Sequence, residues 1–343
     1  MLRGMYPQAA ILGCAGPTLT RDEVWTFRRN PPLGFILFAR NLENREQIAD
    51  LVGHLRSTVG RDDAPVLIDQ EGGRVARLRG DGWWDAPPAG RFGALARTAL
   101  PAACEAARLN ARLIADDLAS AGIDVDCAPV LDLDIAGAHQ IIGDRSYGGD
   151  PVVVAALGRA VCEGLLAGGV LPVVKHIPGH GRSAVDSHLA LPRVDAEREV
   201  LDAGDFEPFR LLADLPMAMT AHIVYAAVDV GRAATVSAAV IAQVIRGAIG
   251  FDGLLMSDDL GMHALDGDLG NRVRAALNAG CDIALHCSGV AEDNAAVLEA
   301  APRMTEQAMV RWQRAAAMRH QPEPFDRAAA IARVEELLSA AAA

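Results

Sequence analysis

Eight short apolar runs punctuate this chain, and each is followed by turn residues and then by a stretch with helical periodicity. They occupy residues 9–14, 34–38, 65–69, 123–129, 171–176, 216–222, 252–259 and 282–287. The helix-like stretches between them include 45–59, 100–122, 151–169, 236–250 and 271–281. In the first of these Ile48, Leu51, Val52 and Leu55 form the 3.6-residue stripe of a helix laid against a sheet. Alternating strands and helices imply a parallel sheet in an α/β protein. Eight such strands favour closure into a (β/α)8 TIM barrel, because an open doubly wound sheet usually has fewer strands and a phosphate-binding GxGxxG after its first one. No GxGxxG follows residues 9–14. The segments 66–68 and 172–174 are apolar without alternation, as strands covered on both faces should be.

At roughly 150 residues per domain, 343 residues could make two domains. No Pro/Ser/Gly-rich linker and no charge block divides them, so one domain over 1–343 is expected. Its last part, about 303–343, reads as terminal helices packed on the barrel, broken at Gln321-Pro322-Glu323-Pro324. A formal charge of −12 repels nucleic acid and anionic lipid, which excludes both as partners. No uncharged apolar run approaches the roughly 18 residues of a membrane span, and the first residues lack a signal-peptide pattern. Six cysteines without a CxxC pair read as buried reduced thiols, so a cytoplasmic protein is expected. A monomer is expected.

Functional groups of a barrel belong at the C-terminal ends of its strands. Strand three runs into Asp69-Gln70-Glu71-Gly72-Gly73-Arg74, strand five into Lys175-His176, strand six into Thr220-Ala221-His222 and strand seven into Ser257-Asp258-Asp259. Buried charges cost several kcal/mol unless paired, so four polar strand ends at one mouth point to chemistry. The segment from Lys175 to His188 is the densest and carries Asp186 and His188 two residues apart. A carboxylate beside an imidazole favours its protonated form and suits it to proton donation near neutral pH. Of the adjacent Asp258 and Asp259, one should face the mouth and the other serve structure, since neighbours on a strand point to opposite faces. Asp69, Arg77 and Arg145 could bind sugar hydroxyls through paired hydrogen bonds, and Trp83-Trp84 could form a wall or lid. His176, His180, His188 and His222 could be read as metal ligands, but strand one has no His-x-His at its end and no helix carries HExxH. No metal and no cofactor is therefore expected.

Five segments together resemble family 3 glycoside hydrolases, and within them the single-domain bacterial β-N-acetylglucosaminidases of peptidoglycan recycling. They are Ile68 to Val75 with Arg77, Ile142 to Tyr147, Lys175 to His188, Met219 to His222, and Ser257 to Leu260 with Met262. The resemblance implies Asp258 as nucleophile, His188 as acid/base and Asp186 as the residue that tunes and orients it. It also implies Asp69, Arg77, Arg145, Lys175, His176 and, less centrally, His222 as contacts of a terminal N-acetylglucosamine. His263 stands where many relatives have an acidic residue. The family's larger β-glucosidases draw their acid from a second domain, for which this chain is too short. The implied activity is an exo-acting, retaining β-N-acetylhexosaminidase on small carbohydrate or muropeptide substrates, N-acetylglucosamine linked to anhydro-muramoyl peptides. The alternatives are a glycoside phosphorylase, another family 3 β-glycosidase on the same site, and a sugar-binding barrel without catalysis.

Overall fold

In the computed structural model, which describes residues 6–135, 137, 142–183 and 191–340, the eight runs form the staves of a closed parallel barrel. These are β1 (Gln8–Gly13), β2 (Pro32–Leu37), β3 (Val66–Ile68), β4 (Val125–Asp126), β5 (Leu171–Ile177), β6 (Met217–Thr220), β7 (Leu254–Asp259) and β8 (Ile283–His286). Each pairs with its neighbours in sequence, and β8 returns to β1 through Ala10 opposite Ala284 and Leu12 opposite His286. The side chains divide by the two-residue period of a strand. Ile11, Leu67, Val125, Val173, Met256 and Ile283 fill the interior, while Leu12, Ile68, Val174, Leu255 and Ala284 pack outward against helices.

The elements differ from expectation at three places. The fourth strand is a ladder of only two residues rather than 123–129, and Pro129, which has no N–H to donate, follows soon after. The helix expected at 100–122 is preceded by a further helical stretch, so that Ala89–Ser120 runs as one element broken at Ala99, just before Pro101. The helix expected at 236–250 begins as a short 3-10 turn at Ala234–Val236 and continues through Val240–Ala248 with wide turns, Ile249 donating to the carbonyl of Val244. Arg45–Val59 lies where its stripe put it, capped by Asn44 and closed by Gly60 at φ 64°. A small pair, Arg193–Val194 with Val224–Tyr225, lies outside the barrel. No helix among the described residues is long and apolar enough to cross a membrane.

The terminal helices are Glu306–Ala317 and Arg327–Ser339. The first closes the N-terminal end of the barrel: Met304, Ala308, Trp312 and Ala315 join the interior cluster. Its arginines reach acids at the starts of strands. Arg311 lies 3.0 Å from Asp282 and 2.8 Å from Asp252, and Arg314 3.1 Å from Asp252. The second helix packs on Ala89–Ser120, with Arg333 2.8 Å from Glu105. With one end of the barrel plugged by apolar side chains, the other is left for polar ones.

Candidate active site

A cleft of about 300 Å³ opens at the C-terminal ends of the strands. Its wall includes Asp69 and Glu71 beyond β3, Arg77, Arg145, Lys175 and His176 on β5, His180, and Asp258 and Asp259 at the end of β7, with Phe38, Met262 and Leu285 as apolar surface. Nearly every charge there is paired. Lys175 Nζ lies 2.8 Å from Asp69 Oδ1 and 2.7 Å from Glu71 Oε1. Arg77 Nη2 donates to the other oxygen of Asp69 at 3.0 Å, and Arg145 binds Glu71 through Nε and Nη2, both at 2.8 Å. Burial alone would raise both carboxyls. Lys175 and Arg77 outweigh it at Asp69, as Lys175 and Arg145 do at Glu71, and hold both below the usual carboxylate range. Desolvation would likewise lower the Lys175 ammonium, but the two carboxylates hold it above its ordinary value. The lysine therefore stays charged while buried.

The segment bearing Asp69 and Glu71 is fixed from behind. Gln70 donates its N–H to Asp126 Oδ1 at 2.9 Å, and its side-chain oxygen accepts from the N–H groups of Arg77 (2.7 Å) and Leu78 (3.0 Å). Asp126 lies between sheet and helices, fully buried, and burial pushes its carboxyl up to about 7. His176 is set by Asp132, a fully buried carboxylate that takes the ring Nδ1 at 2.6 Å and the N–H of His180 at 2.7 Å. His180 is pushed down to about 4 by burial, against the pull of Asp132, so its ring is neutral near pH 7.

The two aspartates of β7 divide their work. The Asp259 carboxylate accepts from the N–H groups of Gly261 (2.9 Å) and Cys287 (3.1 Å). The Asp258 carboxylate has one recorded partner among the described residues, the N–H of Asp259 at 2.8 Å. Among the described residues, Asp258 is thus the cleft carboxylate that takes a single hydrogen bond and no cation.

The structure brings Asp69, Arg77, Arg145, Lys175, His176 and Asp258 together on one wall. His222 is placed differently. It is fully buried, with Nδ1 2.7 Å from Thr235 Oγ1 and Nε2 donating to the carbonyl of Asp259 at 3.0 Å, so both ring nitrogens are occupied behind the strand end. Trp83 stacks under Arg45 and Trp84 donates to Asn110, and neither lines the cleft. Asp186 and His188 lie outside the described residues. Glu71 and Asp132 were not singled out from the sequence. The strand-end rule finds Asp132 once the chain beyond β4 is followed past Pro129, where Leu131 donates to the carbonyl of Lys175. Among the described residues, no group of three His, Cys, Asp or Glu side chains is placed to hold a metal ion. All six cysteines are free.

Comparison with known proteins agrees with this architecture. The family described as glycosyl hydrolase family 3 N terminal domain matches residues 27–317. A beta-hexosaminidase of Bordetella avium is 38% identical over 288 residues, 82% of this chain and 81% of its own. One from Alkalilimnicola ehrlichii is 39% identical over 282 residues, 81% of this chain and 80% of its own. The solved structure of NagZ from Neisseria gonorrhoeae in complex with N-trifluoroacetyl-D-glucosamine is 32% identical, with a TM-score of 0.87 over 97% of this chain and 98% of that one.

Proposed function

Because the chain belongs to glycosyl hydrolase family 3, we propose that it is an exo-acting, retaining β-N-acetylhexosaminidase that removes terminal N-acetylglucosamine from muropeptides in the cytoplasm. The observation that carries this reading is the sorting of the cleft carboxylates. Asp69 and Glu71 are neutralised by Lys175, Arg77 and Arg145, and Asp259 is held by backbone N–H groups. Among the described residues, Asp258 combines a strand-end position with a carboxylate that takes a single hydrogen bond and no cation. A nucleophile for an anomeric carbon needs both properties.

In double displacement, Asp258 attacks C1 as the glycosidic oxygen takes a proton, and water then cleaves the glycosyl ester with its proton removed by the same acid/base group. The paired carboxylates make poor proton donors because their partners hold them ionised. A buried neutral His180 is no better near pH 7. The resemblance of the Lys175 to His188 segment to the family gives the role to His188, oriented by Asp186. The relative from Neisseria gonorrhoeae holds a glucosamine derivative, which supports a hexosamine as the sugar. Free thiols throughout fit a reducing compartment.

Trapping with a 5-fluoro N-acetylglucosaminyl donor followed by peptide mapping tests the reading. The adduct is expected on Asp258, and label on Asp259 would overturn the assignment. Running the reaction with and without inorganic phosphate separates hydrolysis from phosphorolysis, since only a phosphorylase would form sugar phosphate.

A further inference from the structure

Asp259 touches more of the site than its carboxylate alone. Its N–H donates to Asp258 Oδ1 at 2.8 Å, the single recorded hydrogen bond on that carboxylate among the described residues. Its carbonyl accepts from His222 Nε2 at 3.0 Å. Its Oδ1 accepts from Gly261 and Cys287 and lies 3.4 Å from His286 Nδ1. Two histidines therefore approach one residue from different elements, His222 from beyond β6 and His286 from β8.

Each histidine is anchored on its far side. Because His222 Nε2 faces a carbonyl, it carries the proton, and Nδ1 accepts from the Thr235 hydroxyl at 2.7 Å. Thr235 in turn lies 2.7 Å from the Thr220 hydroxyl. His286 Nε2 is 2.8 Å from Ser288 Oγ, which donates to Asp293 at 3.0 Å, so Nε2 donates to the serine, and Nδ1 makes no hydrogen bond among the described residues. His222 is fully buried and His286 is 2% exposed. Leu285 and Cys287, the neighbours of His286, line the cleft, so the ring points away from it. A ligand in the cleft meets neither imidazole.

We propose that His222 is a positioning residue for the nucleophile, holding Asp259 by its carbonyl so that the N–H of Asp259 aims the Asp258 carboxylate at the anomeric carbon. The inference rests on Asp258 being the nucleophile. Attack needs the carboxylate oxygen near 3 Å and aligned with the breaking bond, and a displacement of about 1 Å can cost on the order of 100-fold in rate. A carboxylate fixed by several cations would need no such clamp. Among the described residues Asp258 has no ion-pair partner, and the N–H of Asp259 is the contact that directs it.

The experiment compares glycosylation by a nitrophenyl N-acetylglucosaminide and by the 5-fluoro donor in wild type, His222→Ala and His222→Gln. Glutamine places an amide near the Nε2 position, so the conservative variant restores the donor to the Asp259 carbonyl. The alanine variant is expected to lose about 10- to 100-fold in the glycosylation rate constant, with KM and inhibition by N-acetylglucosamine changed less than about threefold. The glutamine variant is expected to regain most of the rate. Melting curves show whether the alanine variant folds, and if it does not, the glutamine variant decides. An unchanged rate, a loss borne equally by KM, or no recovery with glutamine would overturn the inference. If wild type itself labels away from Asp258, the nucleophile assignment fails instead.

Discussion

Replacing Lys175 with methionine removes one buried charge and little volume, so the result reads the ionic network rather than a cavity. The ammonium stands between Asp69 at 2.8 Å and Glu71 at 2.7 Å, with its side chain 3% exposed. Removing one partner of a buried pair usually costs about 3–5 kcal/mol. Here each stranded carboxylate keeps an arginine, Arg77 on Asp69 and Arg145 on Glu71, which puts the expected cost at the lower end, about 3 kcal/mol. Against a typical domain stability of about 5–15 kcal/mol the variant still folds. The pH dependence identifies the cause. Both carboxyls are depressed in the folded protein, so the stability they contribute is present above their unfolded values of about 3.9 and 4.3 and is lost as pH falls through the folded ones. Without Lys175 the depression shrinks. The gap between wild type and variant should therefore be full at neutral pH and narrow once the pH drops below about 4. Urea unfolding at several pH values measures it. A gap that does not change with pH would show that the lysine acts through packing and would refute the electrostatic account.

Two further substitutions probe other parts of the molecule. His188→Ala should lose about 10²–10⁴-fold more glycosylation rate on a natural disaccharide than on a nitrophenyl glycoside, whose leaving group needs no proton. On the aryl substrate it should show a near-stoichiometric burst and then a slow phase that azide accelerates; equal losses, no burst and no rescue would send the acid/base search elsewhere. Trp312→Ala should cost about 3–5 kcal/mol in denaturant unfolding, because the indole is 3% exposed in the plug of the barrel. Its folded fraction should keep wild-type kcat and KM, and a changed KM would mean that the plug and the cleft communicate.

The barrel was legible because its signal is local: runs of apolar residues at strand spacing survive without knowledge of their neighbours. What escaped depends on tertiary contact. The helical stretch before Ala99 contains Gly90 and Gly93, which lower helix propensity and obscure the pattern. The structure shows the use of the second: a Cβ at Gly93 would meet the carbonyl oxygen of Tyr147 at 2.0 Å. A residue that argues against a helix in the sequence is what lets this helix approach the chain beyond Arg145. The short fourth strand is a similar case, since Pro129 stops the ladder while the backbone continues alongside β5 through Leu131.

The candidate site divides in the same way. The dense stretch beginning at Lys175 was legible because its chemistry is contiguous, whereas Glu71 meets Arg145 across 74 positions and Asp132 meets His176 across 44. The sequence also offers Asp69, Arg77, Arg145 and Lys175 as free charges, and in the structure each is already engaged. That engagement bears on what the cleft can select. Among the described lining residues four cations, Arg74, Arg77, Arg145 and Lys175, face four carboxylates, Asp69, Glu71, Asp258 and Asp259, so the wall carries little net charge to draw in an anion. It presents fixed lone pairs and N–H groups whose directions are set before any ligand arrives. A neutral hexosamine, recognised through the geometry of its hydroxyls rather than through charge, is the kind of ligand such a wall is built to bind.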